Sequence, residues 1–240
     1  MDELDAGGEL PQELVACQAT PHPPTHHAEG DVYRHTRIAV ESLPRALEWL
    51  HLSATLDRAV AVMCHDIGKP PCADPDTGHF YRHDHVGADL VPSLLDRIDP
   101  GGRVDRDRVA WCVREHLFWL HTDLDIVSDA AVAKRYCRDD GWSDDLRVVN
   151  LCDGLASWGP SGRPHLPYLE AVQHKIDEVR RRVVEAARRP KPVLRGHDVM
   201  AILGIGEGPE VGEWLARLME TGISDADEAR RWLSETASRS

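Results

Sequence analysis

Several features of common protein classes are missing from this 240-residue sequence. No apolar stretch approaches the ~18 residues that a membrane-spanning helix needs. The first residues, MDELDAGGELPQELVAC, lack the basic start and the apolar run of a signal peptide. We therefore expect a protein with no membrane association and a cytoplasmic location.

Cysteine pairs with metal or redox spacing are also missing. The six cysteines stand at positions 17, 64, 72, 112, 137 and 152, and none form a C-x-x-C pair. This excludes a zinc ribbon and a dithiol redox site. Several of them fall in helical apolar patterns, so we expect small, reduced core residues.

Basic residues are outnumbered: the sequence has 28 Lys and Arg residues and 41 Asp and Glu residues, so its formal net charge is −13. An acidic chain repels phosphate backbones, so no strong non-specific nucleic-acid binding is expected. Histidine, in contrast, is abundant, with 14 residues. Histidine is the commonest metal ligand and the usual proton carrier near neutral pH, which points to a metal or proton-transfer site. No pattern indicates an oligomeric state.

Apolar residues recur at helical spacing over almost the whole chain after residue 30. Residues 109–116 follow the i, i+3, i+4, i+7 pattern, and a long helix is expected near 167–188. No segment shows sustained alternation of apolar and polar residues. We therefore predict an all-α fold, a helical bundle with a small helical C-terminal appendage. The expected divisions are a loosely structured leading segment, a main domain and a helical tail, at 1–25, 26–190 and 191–240.

The strongest local feature is the run at 64–70, which reads CHDIGKP. Neighbours on a helix point ~100° apart, so His65 and Asp66 can both reach one ion lying over the helix end. Lys69 emerges in the following loop, 68–80, which is long enough to be an active-site flap. Nitrogen and carboxylate ligands together favour Mn, Fe, Co, Ni or Zn over Mg.

Other histidines and another aspartate also fall at core-facing positions of the predicted helices. Buried carboxylates and histidines are costly alone, and one metal site would satisfy them together. We therefore predict a centre for one or two divalent ions. Its expected ligands are His35, His65, Asp66, His83, His116 and Asp153.

The order of these residues, H…HD…H…H…D, resembles that of the HD superfamily of metal-dependent phosphohydrolases. Residues 26–36, HHAEGDVYRHT, are similar to the H-H-P-E-G-D-V-W-x-H-T opening of the HD domain attached to bacterial CCA-adding tRNA nucleotidyltransferases. Residues 194–201, LRGHDVMA, and 204–212, GIGEGPEVG, resemble the segment that follows that domain. The resemblance extends from residue 25 to about residue 233 and implies the HD helical fold.

The nucleotidyltransferase head of that family is not matched before residue 26, where neither its Gly-Gly-x-Val-Arg-Asp loop nor its D-x-D strand occurs. We therefore expect no nucleotide addition. The resemblance implies instead an enzyme that hydrolyses nucleotide or RNA-end phosphates. The implied activities are 2′,3′-cyclic phosphodiesterase and phosphomonoesterase, and the implied substrate is a small nucleotide or an RNA end.

The resemblance also distributes roles among the residues. A first ion would be held by His35, His65, Asp66 and Asp153, and a second by His83 and His116, with Asp66 bridging. Two ions ~3.5–4 Å apart can clamp the attacking and leaving oxygens of a phosphate ester. Asp66 and Lys69 are the expected catalytic residues.

Substrate contacts are expected from residues around the ligands. They are assigned to Lys69, Arg114, His27 and Glu29. Asp31 is a candidate cap for the helix that carries His35. The remaining histidines away from the pattern, His22, His51, His121, His165 and His174, are expected at the surface.

Two other functions fit the same ligand order. Some HD proteins hold two irons and use oxygen to cleave C–H or C–P bonds, although Lys69 and the flanking motifs favour hydrolysis. The chain could also be a non-catalytic module that binds RNA or a protein partner. The acidic composition and the full ligand set argue against that role.

Overall fold

The computed structural model describes residues 10–23, 27–120, 122–138, 140–188 and 192–238. Within these ranges the regular structure is helical, apart from one isolated bridge between Pro21 and Asp31. The predicted all-α fold is therefore confirmed. The chain divides into two compact units, one ending at Val183 and the other beginning at Val184.

In the part of the chain that the structure describes, the first unit contains nine α-helices and most of a tenth, with a 3-10 turn at His116–Phe118. They are α1, Gln12–Gln18; α2, Val32–Glu41; α3, Leu43–Leu50; α4, Leu56–Cys64; α5, Lys69–Cys72; α6, His83–Ile98; α7, Arg106–Glu115; α8, Asp129–Tyr136; α9, Trp142–Ala156; and α10, Leu166–Arg188. Side chains cap α2, α4, α7 and α8 by accepting a backbone N–H three residues later. These caps are Asp31, as expected, with Thr55, Asp105 and Ser128.

The core of this unit is organised around α9. Ten of its fifteen residues are buried, and it packs against α2, α3, α4, α7 and α8. Asp145, which is fully buried near its start, pairs with Arg58 of α4 and Arg108 of α7. Since a buried carboxylate needs such partners, this triad ties three helices together. The same helix carries Asp153 eight residues further on.

A close backbone contact fixes the junction between α4 and α6. A Cβ added at Gly68 would lie 2.0 Å from the carbonyl oxygen of His83 and 2.5 Å from the backbone nitrogen of Gly87. Only glycine fits there, because both neighbours are backbone atoms. The contact therefore sets the distance between the end of α4 and the start of α6.

The structure differs from the predicted leading segment at residues 12–18. These residues form α1, in which Leu14 and Cys17 are buried in the core. The two side chains are three residues apart and so share one helix face, which gives the short helix an apolar surface to bury. The predicted loop 68–80 also begins with a helix, α5.

The second unit has its own small apolar core. Its helices are α11, Gly196–Leu203; α12, Pro209–Glu220; and α13, Ala226–Ala237. Leu194, Val199, Trp214, Leu218 and Leu233 are buried together. Among the described residues, no helix in either unit is both long and apolar enough to cross a membrane.

Candidate metal centre

The structure brings all six predicted ligands to one place. His35 lies on α2, the His65–Asp66 pair follows α4, His83 opens α6, His116 follows α7, and Asp153 lies on α9. Five of them are buried, and the side chain of Asp153 is 27% exposed. The helices thus deliver an almost closed cluster that opens at Asp153.

The carboxylate of Asp66 faces two sets of histidines. Its Oδ2 lies 3.3 Å from Nε2 of His65 and 3.7 Å from Nε2 of His35. Its Oδ1 lies 3.4 Å from Nε2 of His83 and 3.7 Å from Nε2 of His116. Oδ1 of Asp153 completes the first set, 3.0 Å from Nε2 of His35. Asp66 therefore presents one carboxylate oxygen to each set of histidines.

The histidine rings are oriented as metal ligands require. His65, His83 and His116 each donate Nδ1–H to the backbone carbonyl three residues earlier, over 2.7, 2.7 and 2.6 Å. This leaves the Nε2 lone pairs facing Asp66. Nε2 of His83 and Nε2 of His116 are buried without a hydrogen-bond partner. Because buried polar atoms are normally satisfied, the residues present fit a divalent ion.

Two groups of ligand atoms are close enough to hold an ion each. They are His35, His65 and Asp66, and Asp66, His83 and His116. Within each group the ligand atoms lie within 4.8 Å of one another. The donor set of imidazole nitrogens and carboxylate oxygens is one that divalent transition metals bind.

Burial and neighbouring charges shape the protonation of the cluster. Burial opposes the ionisation of Asp66, but the charges of Lys69 and His65 hold its pKa well below the usual range. Burial and the charges of His83 and His65 lower the pKa of His116 to about 4. Burial also opposes protonation of His35, but hydrogen bonds to Asp153 and Glu29 raise its pKa to about 9. In the second set, His116 is therefore neutral. In the first set, the carboxylates of Asp153 and Glu29 balance the positive charge of His35.

Glu29 lies behind His35 and supports it. Its Oε1 accepts from Nδ1 of His35 over 2.8 Å and from Nδ1 of His27 over 2.6 Å. Its Oε2 accepts the backbone N–H of Trp158 over 3.0 Å, and Ala28 N–H donates to the Trp158 carbonyl over 2.7 Å. Burial opposes ionisation of Glu29, yet the two histidine hydrogen bonds hold its pKa well below the usual range. Of the predicted substrate residues, Glu29 therefore contacts the ring nitrogen of His35 that faces away from Asp66, and His27 contacts Glu29.

Lys69 is buried rather than exposed on a flap, and a histidine that the sequence did not single out holds it. Its ammonium lies 2.7 Å from Oδ2 of Asp66 and 3.0 Å from Nε2 of His22. His22 was expected at the surface, but it is 6% exposed and its ring stacks on His27. Burial and the charge of Lys69 lower the pKa of His22 to about 2. A neutral His22 is the acceptor that a buried ammonium requires.

Arg114 is not brought into this cluster. Its guanidinium is exposed and pairs with Asp89 over 2.9 Å. It lines a cavity of about 380 Å³ that contains Asp84 and Glu115 but none of the six predicted ligands. Of the histidines expected at the surface, those at 51, 165 and 174 are exposed, and the one at 121 lies outside the described residues.

Comparison with known families agrees with this arrangement. Residues 31–158, more than half of the chain, match the model of the HD domain. The chain therefore belongs to the HD domain family, a superfamily of metal-dependent phosphohydrolases whose domains bind divalent metal ions.

Comparison with curated proteins shows which kind of HD-domain protein the chain resembles. The chain is 34% identical over 225 residues to the A-adding tRNA nucleotidyltransferase of Deinococcus radiodurans, a match that covers 88% of this chain and 48% of that protein. It is 32% identical over 219 residues to the CC-adding tRNA nucleotidyltransferase of Thermus thermophilus, covering 87% and 45%. The multifunctional CCA protein of Mannheimia succiniciproducens is 29% identical over 179 residues, covering 70% and 42%. The chain spans about half the length of these relatives, and the predicted resemblance is confirmed.

Proposed function

We propose that this protein is a metal-dependent phosphohydrolase acting on the phosphate esters of nucleotides or RNA ends. The observation that carries the proposal is the Asp66 carboxylate, with one oxygen turned to each of two histidine sets. The names of the curated relatives, which refer to tRNA, support an RNA end as substrate. The proposed reactions are the opening of a 2′,3′-cyclic phosphodiester and the removal of a phosphomonoester.

The proposal gives each set of ligands one metal ion. The first ion is assigned to His35, His65, Asp66 and Asp153, and the second to Asp66, His83 and His116. The mixed donors favour Mn, Fe, Co, Ni or Zn over Mg. Such ions, when bound, lower the pKa of water and polarise a phosphoryl oxygen.

Lys69 is the residue outside the ligand set that serves the reaction. Hydrolysis adds a water oxygen to phosphorus, breaks the bond to the ester oxygen, and leaves a proton on the departing oxygen. The Lys69 ammonium, fixed between Asp66 and His22, lies beside the ligands where it can neutralise phosphate charge. His27 and Glu29 are assigned a positioning role through His35 in place of a contact with substrate.

A screen of phosphate esters tests the proposal. The purified protein is assayed with 2′,3′-cyclic AMP, with 2′-, 3′- and 5′-AMP, with an oligoribonucleotide ending in a 2′,3′-cyclic phosphate, and with p-nitrophenyl phosphates. Each assay contains Mn²⁺, Ni²⁺, Co²⁺ or Mg²⁺. We expect turnover that requires the transition metals and is abolished by Asp66→Ala. The matched control Asp96→Ala removes an exposed carboxylate of α6 and should keep wild-type rates. No turnover of any ester, or turnover indifferent to Asp66→Ala, would refute hydrolysis.

Metal analysis separates hydrolysis from oxidative chemistry. Protein purified without oxygen is analysed for metal content, and each histidine set is tested with one variant, His35→Ala or His83→Ala. We expect each variant to lose one of two bound ions. Iron at two per chain, with oxygen consumed and no ester cleaved, would assign the centre to an oxygenase instead.

A further inference from the structure

A cavity of about 390 Å³ adjoins the metal centre, between α9, the turn after α7 and the first half of α10. Two of the predicted ligands, His116 and Asp153, form part of its wall. Trp119, Asn150, Tyr168, Leu169, Val172 and Gln173 line the space beside them. A substrate with its phosphate at the ligands would therefore extend the rest of its structure into this space.

The wall of the cavity suits an uncharged ring. Trp119 and Tyr168 contribute aromatic side chains, and Leu169 and Val172 are buried aliphatic residues. Among the described residues that line it, Asp153 is the single carboxylate and neither Lys nor Arg occurs. A wall without cations does not favour a second phosphate, whereas aromatic and aliphatic surfaces bind flat rings by stacking and apolar contact.

One polar group in this wall is set to donate a hydrogen bond. Gln173 is buried, and its Oε1 accepts from Nε of Arg147 over 2.5 Å. Arg147 is in turn held by Asp177 over 2.8 Å. The carbonyl end of the amide is thus occupied, and among the described residues its nitrogen has no acceptor. An amide N–H₂ in an apolar wall fits a ring nitrogen or a carbonyl oxygen on a flat ring.

Two neighbouring polar side chains of the wall are already engaged. The Tyr168 hydroxyl donates to the carbonyl of Trp119 over 2.9 Å. Asn150 accepts from the Tyr136 hydroxyl and donates to the carbonyl of His116 over 2.6 Å. These bonds hold the aromatic wall and the ligand turn in place. The Gln173 amide and the Nε1–H of Trp119, which is buried without a partner among the residues that the structure describes, remain as donors to the edge of a ring.

We propose that this cavity binds the nucleobase of the nucleotide or RNA end whose phosphate is hydrolysed at the metal centre. Gln173 donates to an acceptor on the base, and Trp119 and Tyr168 supply stacking surfaces. The inference rests on the proposed phosphohydrolase function and names the part of the substrate that the enzyme recognises.

The variant Gln173→Glu tests the donor while keeping the shape of the side chain. A carboxylate still accepts from Arg147, but its second oxygen repels the base acceptor that the amide would bind. We expect the ratio of kcat/KM for 2′,3′-cyclic AMP to that for bis-p-nitrophenyl phosphate, which has no base, to fall about tenfold or more. Tyr168→Leu should lower the same ratio through lost stacking. Gln18→Glu, at an exposed glutamine at the end of α1, is the matched control and should leave the ratio unchanged.

Calorimetric binding of adenosine and cytidine to the metal-loaded protein separates this inference from the proposed function. We expect the nucleosides to bind, and Gln173→Glu to raise their Kd about tenfold. Nucleoside binding that depends on Gln173, without hydrolysis of any ester, would support the base site and refute the phosphohydrolase. Hydrolysis with an unchanged substrate ratio and no nucleoside binding would overturn the base site and leave the phosphohydrolase standing.

Discussion

Glu29→Gln is the sharpest test of how the first histidine set is supported. Both carboxylate oxygens of Glu29 are acceptors: one takes the Nδ1–H groups of His35 and His27, and the other takes the backbone N–H of Trp158. A glutamine has only one carbonyl oxygen. Whichever way its amide turns, an N–H₂ group meets an N–H donor. The charge that favours the Nδ1–H tautomer of His35 is lost as well.

The magnitude follows from the position of this carboxylate behind a ligand. Loss of a carboxylate that supports a metal-binding histidine costs roughly 10- to 100-fold in metal affinity. That range corresponds to about 1.4–2.7 kcal/mol of binding free energy. We expect a loss of this size for the ion assigned to the His35 set in Mn²⁺ or Co²⁺ titrations against a chelator. Turnover at limiting metal should fall in parallel and recover at high metal concentration.

Two controls separate support of His35 from a general loss of structure. Glu41→Gln changes an exposed residue that pairs with Arg37 at the end of α2, the helix that carries His35, and this variant should bind metal like the wild type. The thermal midpoint and the circular dichroism of metal-free Glu29→Gln should show a folded protein. Metal affinity within twofold of wild type, measured while His35→Ala abolishes binding at that site, would refute the proposed support.

Three further outcomes test other contacts. His22→Leu removes the acceptor of the Lys69 ammonium, so kcat/KM for p-nitrophenyl phosphates should fall about tenfold with metal content unchanged. Loss of bound metal in this variant would contradict the expectation. Gly68→Ala places a Cβ against backbone atoms of α6 and should lower the free energy of unfolding in urea by at least ~3 kcal/mol. Gly101→Ala, at a position with open space around it, is the control and should be nearly neutral. Asp145→Asn removes the charge that pairs with the buried Arg58 and the partly buried Arg108, and it should cost about 3–5 kcal/mol of unfolding free energy. A stable variant would show that the triad is dispensable.

The fold and the ligand order could be predicted because both follow from local patterns. Helical periodicity predicted the long helix near 167–188, and it begins one residue earlier. His65 and Asp66 are adjacent in sequence, and their partners occupy core-facing positions on successive helices. The spacing of these residues along the sequence was therefore sufficient to predict that they lie close together.

Residues whose roles depend on contacts between distant segments could not be found in this way. His22 lies between prolines outside any periodic segment, and it is held by contacts with distant residues such as Lys69, 47 residues later. The support role of Glu29 requires Trp158, 129 residues away. Gln173 faces the cavity because of the register of α10 against α9. That register depends on side-chain packing, which composition and period do not specify.

Residues 28–29, just before the segment that matches the HD domain, form hydrogen bonds with Trp158, the last residue of that segment, and so bring its two ends together. A module whose ends meet can be carried in the middle of a longer chain, or fused to other domains, without stretching its interior. In this module the closing bonds run through Glu29, the residue that supports the first ligand. Metal affinity would therefore report whether the ends are closed, and a fusion or circular permutation that opens them should be detected first as weakened metal binding.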